Sequence, residues 1–139
     1  MILSIDPPLF LAWAVAIAAA LVYVPSYLVV GYGRAKSGFD PRAPRAIFDK
    51  LPPYAQRATW AHQNAFESVT LFAPAAILVL LAQGASPYTS AVALTYLVAR
   101  LVHSIAYIVG IAPLRSLAWI VSIGCIASLY GTAITEMGQ

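Results

Sequence analysis

The sequence predicts an all-α integral membrane protein, an up-down bundle of four transmembrane helices forming one domain over residues 1–139. Three observations carry this prediction. Of the residues, 61% are hydrophobic and only 9% charged, against about 25% charged in ordinary soluble domains. The mean hydropathy is +0.80. The apolar residues fall in four runs, each long enough to cross a hydrocarbon core of roughly 30 Å. Four such spans use most of the chain, so no separate soluble module fits and any function resides within or beside the bundle.

The first run covers about 9–30, and at 1.5 Å per residue it extends roughly 33 Å. Residues 1–8 contain no Lys or Arg, and the run is too long for a signal-peptide core, so it reads as a retained span. It ends at Gly31-Tyr32-Gly33, followed by Arg34 and Lys36. A loop over 31–56 mixes Gly38, Pro41, Pro44, Pro52 and Pro53 with Asp40, Arg42, Arg45, Asp49 and Lys50, a composition of turns and extended chain. The second span covers about 57–82, with a kink expected at Pro74. Gln83-Gly84-Ala85-Ser86-Pro87 is an uncharged turn. The third span covers about 89–109, Gly110 to Pro113 form a tight connection, and the fourth covers about 113–135, Pro113 suiting a first helical turn. Short connections make antiparallel neighbours. The alanines of span one and Gly124, Ser128 and Gly131 of span four are the small residues expected at close helix contacts.

The net charge of +3 is unevenly placed, since six of the eight Lys and Arg lie between Arg34 and Arg57. That is one loop rather than a surface for nucleic acid, and it follows the positive-inside rule. With Arg115 beside the third connection, both basic connections are expected to face the cytoplasm and both termini the other side. Arg42, Arg45 and Lys50 read as loop charges. The single cysteine, Cys125, lies in an apolar run and reads as a small packing residue. His62 and His103 lie on different spans with one cysteine in the chain, so no metal-ligand cluster is expected.

Ionisable residues inside spans are costly and mark candidate sites. At 100° per residue, Arg57, Asn64 and Glu67 lie within about 80° of one another, while His62 points almost opposite and reads as outward or interfacial. Arg100, His103 and Tyr107 follow i, i+3, i+7 spacing and line one stripe of span three. Stripes on adjacent antiparallel helices should face each other. Arg34 closes the basic end of span one, and Arg115 and Ser116 open span four there. Fixed cations at Arg34, Arg57, Arg100 and Arg115, with a carboxylate at Glu67, match a ligand bearing several carboxylates and an amine. Glutathione has that layout. A cation near its thiol would lower the thiol pKa from about 8.5 and supply thiolate at neutral pH.

The segments Arg57-Ala-Thr-Trp-Ala-His-Gln-Asn64-Ala-Phe-Glu67, Arg100-Leu-Val-His103-Ser-Ile-Ala-Tyr107 and Pro113-Leu-Arg115-Ser116 resemble the MAPEG family, membrane-associated proteins in eicosanoid and glutathione metabolism. The pattern is most similar to a bacterial branch, which would place the chain in an inner membrane. The resemblance implies a homotrimer of four-helix subunits that binds glutathione between neighbours at the cytoplasmic side and meets lipophilic small-molecule substrates from the surrounding lipids. Position by position, Arg34, Asn64, Glu67, His103, Tyr107, Arg115 and Ser116 resemble the glutathione-binding set. Arg115 would stabilise the thiolate, Ser116 would be a hydrogen-bond partner of the sulfur, and Arg100 would brace the helices by pairing with Glu67. This chain departs from the family in having Trp60 and Gln63 where well-studied members carry arginine. Two carboxylate-binding cations are thus missing, and Arg57 is the nearest replacement on that face.

Two functional classes follow. One is a glutathione-dependent membrane transferase or peroxidase acting on lipophilic electrophiles. The other is a non-catalytic protein of the same fold that binds lipid or another small anion, or serves as a subunit of a larger membrane assembly. Read structurally, Glu67 with Arg100 is a register-fixing pair, His103 and Tyr107 are interhelical hydrogen-bonding residues, and Arg34 and Arg115 are interfacial anchors.

Overall fold

The computed structural model describes residues 6–38 and 40–139. The chain forms helices α1 (Pro7–Tyr23), α2 (Ser26–Lys36), α3 (Pro53–Leu81), α4 (Pro87–Val109) and α5 (Ala112–Met137), with a 3-10 turn at Phe48–Lys50. By length and hydropathy four spans are apt to cross a membrane: Pro7–Lys36, Pro53–Leu81, Pro87–Val109 and Ala112–Met137. The chain is therefore an integral, multi-pass membrane protein.

The first span is not the continuous helix its hydropathy suggests. Pro25 has no N–H to donate to the Leu21 carbonyl, and Val24 is extended at φ −110°, ψ 128°. The helix stops and restarts, running on to Lys36 rather than ending near residue 30. A break inside a span exposes carbonyls that lipid cannot satisfy. His62 of α3 meets one of them, its Nδ1 lying 2.7 Å from the Val22 oxygen. A carbonyl only accepts, so Nδ1 carries the proton. The ring sits 5.5 Å from both Tyr23 and Tyr27. His62 thus ties two spans together, contrary to the outward placement expected for it.

Helix α3 is the hub and packs against all four other helices. It runs through Pro74 without interruption; Pro74 has no N–H for the Thr70 carbonyl, and Tyr130 of α5 donates its hydroxyl to the neighbouring Leu71 carbonyl. The core joins Leu11, Ala14, Ala18, Phe72, Ala76, Val79, Ala93, Tyr96 and Leu129. Phe72 and Tyr96 stack with centroids 3.8 Å apart, and the Tyr96 hydroxyl lies 2.9 Å from Ser68 Oγ. Alanines let the backbones approach closely. Cys125 is buried in the same core. Gly124 and Gly131 do not take part: a Cβ at either would meet nothing within 4 Å, so they lie on the outer face of α5. Large apolar side chains such as Leu28, Val98, Ile120 and Ile134 are exposed, a surface suited to lipid.

Connections are built from local chemistry. Ser86 and Thr89 form a reciprocal capping box that starts α4. Gly110 ends it in the left-handed conformation at φ 91°. The loop before α3 folds back on the bundle: Ile47 and Leu51 are buried against Ala55. Gly33 allows α2 to close on the same helix, since a Cβ there would stand 2.5 Å from Ala55 Cβ.

Replacing His62 tests the broken span. His62→Ala leaves the Val22 carbonyl unpaired and should cost about 1–2 kcal/mol in reversible unfolding from detergent, with His62→Gln recovering part of the loss. An unchanged unfolding midpoint in His62→Ala would show that the bond carries no stability.

Candidate functional site

One end of the bundle gathers the ionisable residues. Between α2, the folded loop and α3 lies a groove of about 930 Å³ whose walls include Arg34, Arg45, Trp60, His62, Gln63 and Glu67. None of its lining residues comes from α4 or α5. The loop wall is held by an aromatic contact, the Phe48 and Trp60 rings lying 5.6 Å apart. The groove therefore presents two guanidinium groups, one carboxylate, an imidazole, and amide and hydroxyl groups. Tyr27 and Phe66 make its apolar flank.

Behind this face α3 meets α4 through a polar relay. Arg100 is 3% exposed, and its Nη2 donates to Asn64 Oδ1 at 3.0 Å. Asn64 Nδ2 in turn donates to Glu67 Oε2 at a long 3.4 Å. The expected direct pair of Glu67 with Arg100 is replaced by a three-residue chain. Arg100 points into the interior while Glu67, almost one turn along α3, faces the groove, so only Asn64 lies between them. Arg100 Nη1 is buried without a hydrogen-bond partner, which makes its one bond to Asn64 the more important. Of the two polar stripes, Asn64 and Arg100 are the members that meet directly.

The remaining candidates form a second cluster where α4 and α5 meet. His103 Nδ1 lies 3.0 Å from the Arg115 carbonyl, so Nδ1 again carries the proton and the buried Nε2 has no partner. The His103 and Tyr107 rings pack edge to face at 5.7 Å. The Arg115 guanidinium lies 4.8 Å above the Tyr107 ring, a cation–π contact that orients the charge without neutralising it. Ser116 is exposed beside it.

Within one chain the predicted residues thus divide. Arg34 and Glu67 share the groove, His103, Tyr107, Arg115 and Ser116 share the α4–α5 edge, and Asn64 with Arg100 lies between. Arg57 joins neither set. Its Nε donates to the Ile108 carbonyl at 2.8 Å and its side chain packs on Gly110, placing a cation at the C-terminus of α4 where the helix dipole favours it. It does not line the groove that Trp60 borders. Two groove residues escaped the sequence reading: Arg45, taken as a loop charge, and His62. Pro25 in the first apolar run was the available signal for His62, because a broken span needs a polar partner from its neighbour. Among the described residues no group of three His, Cys, Asp or Glu could hold a metal ion.

The relay predicts a sharp mutational contrast. Asn64→Ala strands the Arg100 guanidinium in the interior and should cost about 2 kcal/mol of stability, whereas Asn64→Asp should be milder, since it keeps an acceptor. Equal unfolding midpoints for Asn64→Ala and the unaltered protein would mean that Arg100 finds other partners.

No curated protein matches the chain. The sequence does match the model of the MAPEG family over residues 10–135, nearly its whole length. With four apolar spans and polar groups gathered at one end, the chain belongs to the MAPEG family, which includes membrane glutathione transferases and peroxidases.

Proposed function

We propose that the protein is a glutathione-dependent membrane transferase or peroxidase that acts on lipophilic electrophiles as a homotrimer, with its basic end in the cytoplasm. The observation that carries this reading is the division of the site. The groove beside α3 has the charges to hold a tripeptide, with cations for its carboxylates and Glu67 for its α-amine. The α4–α5 edge holds a guanidinium posed on Tyr107, and it contributes nothing to the lining of the groove. A neighbouring copy related by rotation would set the α4–α5 edge of one subunit against the groove of the next.

In this arrangement Arg34, Asn64, Glu67, His103 and Tyr107 hold glutathione, and Arg115 stands near its sulfur. A fixed positive charge stabilises the thiolate over the thiol, and the proton leaves to water. The Ser116 hydroxyl donates a hydrogen bond to the sulfur. The thiolate then attacks an electrophilic carbon of a lipid-borne substrate, forming a C–S bond as the leaving group departs or the adjoining carbon takes a proton. With a hydroperoxide, it attacks the O–O bond, the alkoxide leaves as alcohol after protonation, and a second glutathione resolves the sulfenic acid to disulfide and water. Holding both reactants at the membrane surface supplies proximity.

A second reading rests on Trp60 and Gln63, both groove residues. An aromatic ring and an amide at these places suit a lipid or small anion, and the protein would then bind without catalysis. Titrating detergent-solubilised protein with millimolar glutathione, while following heat and the ultraviolet absorbance of thiolate, separates the two. The transferase reading expects binding with a thiolate signal, and a loss of about 10²–10³ in turnover for Arg115→Ala. Absence of glutathione binding would sink that reading and leave the binding protein.

A further inference from the structure

We propose that Arg45, carried on the loop between α2 and α3, is an anion-binding residue of the groove and supplies the positive charge that α3 lacks there. The inference rests on the reading of the groove as the site of a ligand with two carboxylates and an amine.

The groove-facing side of α3 carries Trp60, His62, Gln63 and Glu67 among its polar and aromatic residues, with one carboxylate but no arginine or lysine. The one arginine of α3, Arg57, is bound to the Ile108 carbonyl. From α3, then, the groove receives a carboxylate but no guanidinium or ammonium group. Arg34 of α2 provides one guanidinium and Arg45 the other. A ligand with two carboxylates and one amine needs two cations and one anion, and the groove reaches that balance only with Arg45.

Arg45 is held in place although it belongs to a loop. The Phe48 N–H donates to the Arg45 carbonyl at 3.3 Å and the Lys50 N–H to the Ile47 carbonyl at 2.9 Å, so the chain here is wound into successive tight turns. Ile47 and Leu51 then bury themselves against Ala55, and Phe48 packs on Trp60. Trp60 therefore has a definite use: its ring anchors the loop that brings Arg45 to the groove. The missing cation on α3 and the presence of one on the loop are two consequences of the same aromatic contact. Arg45 is exposed, and among the described residues no carboxylate pairs with it, leaving its planar donor fork available for a ligand carboxylate. Arg42 and Lys50 of the same loop do not line the groove and provide internal controls.

The test is glutathione titration of the full chain in detergent, comparing the unaltered protein with Arg45→Ala, Arg45→Lys, Arg42→Ala, Trp60→Ala and Glu67→Gln. Arg45→Ala should weaken binding about tenfold, the loss of one charge-assisted hydrogen-bonded contact. Arg45→Lys should restore part of it, Arg42→Ala should match the unaltered protein, and Trp60→Ala should weaken binding by freeing the loop. Arg45 is an exposed side chain outside the core, so unchanged circular dichroism is expected for its variants. If Glu67→Gln weakens binding while Arg45→Ala binds as the unaltered protein does, the assignment of Arg45 is wrong and the groove reading stands. If the unaltered protein itself binds no glutathione, the groove reading fails and takes this assignment with it.

Discussion

The structure depends on one constraint: inside hydrocarbon, a backbone carbonyl released from its helix must find a donor within the protein. This chain releases or crowds carbonyls at three places. Pro25 breaks span one, Pro74 withholds an N–H from the otherwise continuous α3, and α4 ends abruptly at Gly110. Each place receives a side chain from another span, His62 to Val22, Tyr130 to Leu71 and Arg57 to Ile108. These bonds are more than local repair. All three have one partner on α3, so the demands of the backbone hold every other span to that helix.

The site inherits its geometry from this arrangement. Because α3 contacts all four other helices, its polar positions cannot all face one cavity. Arg57 goes to the end of α4, Asn64 turns inward to Arg100, and Trp60, Gln63 and Glu67 border the groove. His103, Tyr107 and Arg115 are held on the far edge by α4 and α5. A buried guanidinium with a single neutral acceptor, as at Arg100, is a poor source of stability on its own. Its use is positional: the Arg100–Asn64–Glu67 chain couples α4 to the groove carboxylate.

Much of this was legible beforehand. Hydropathy located four spans, and of the i, i+3, i+7 stripe of Arg100, His103 and Tyr107, Arg100 does meet Asn64 of α3, while His103 and Tyr107 turn to Arg115. What escaped was whatever depends on a third body. A helical wheel shows that His62 lies opposite Asn64, but only the break at Pro25 gives it a partner. Gly124 and Gly131 look like contact residues by composition, yet they lie on the outer face of α5. The Pro-rich loop reads as turns and extended chain, and its packing on the bundle stays hidden because three buried side chains, Ile47, Leu51 and Ala55, are too few to produce a periodic pattern. Arg45 was hidden with it.

The claim on which the functional account turns is that two half-sites of different subunits act as one. Subunit mixing tests it most directly. In the proposed site Glu67→Gln removes the amine contact and Arg115→Ala the thiolate-stabilising charge, so each protein alone should give little glutathione thiolate. Co-expressed and co-purified, the two should assemble trimers in which some interfaces pair an intact groove with an intact Arg115, and thiolate formation should return at those interfaces. A co-assembled sample with no more thiolate than the separate variants would contradict a site shared between neighbours.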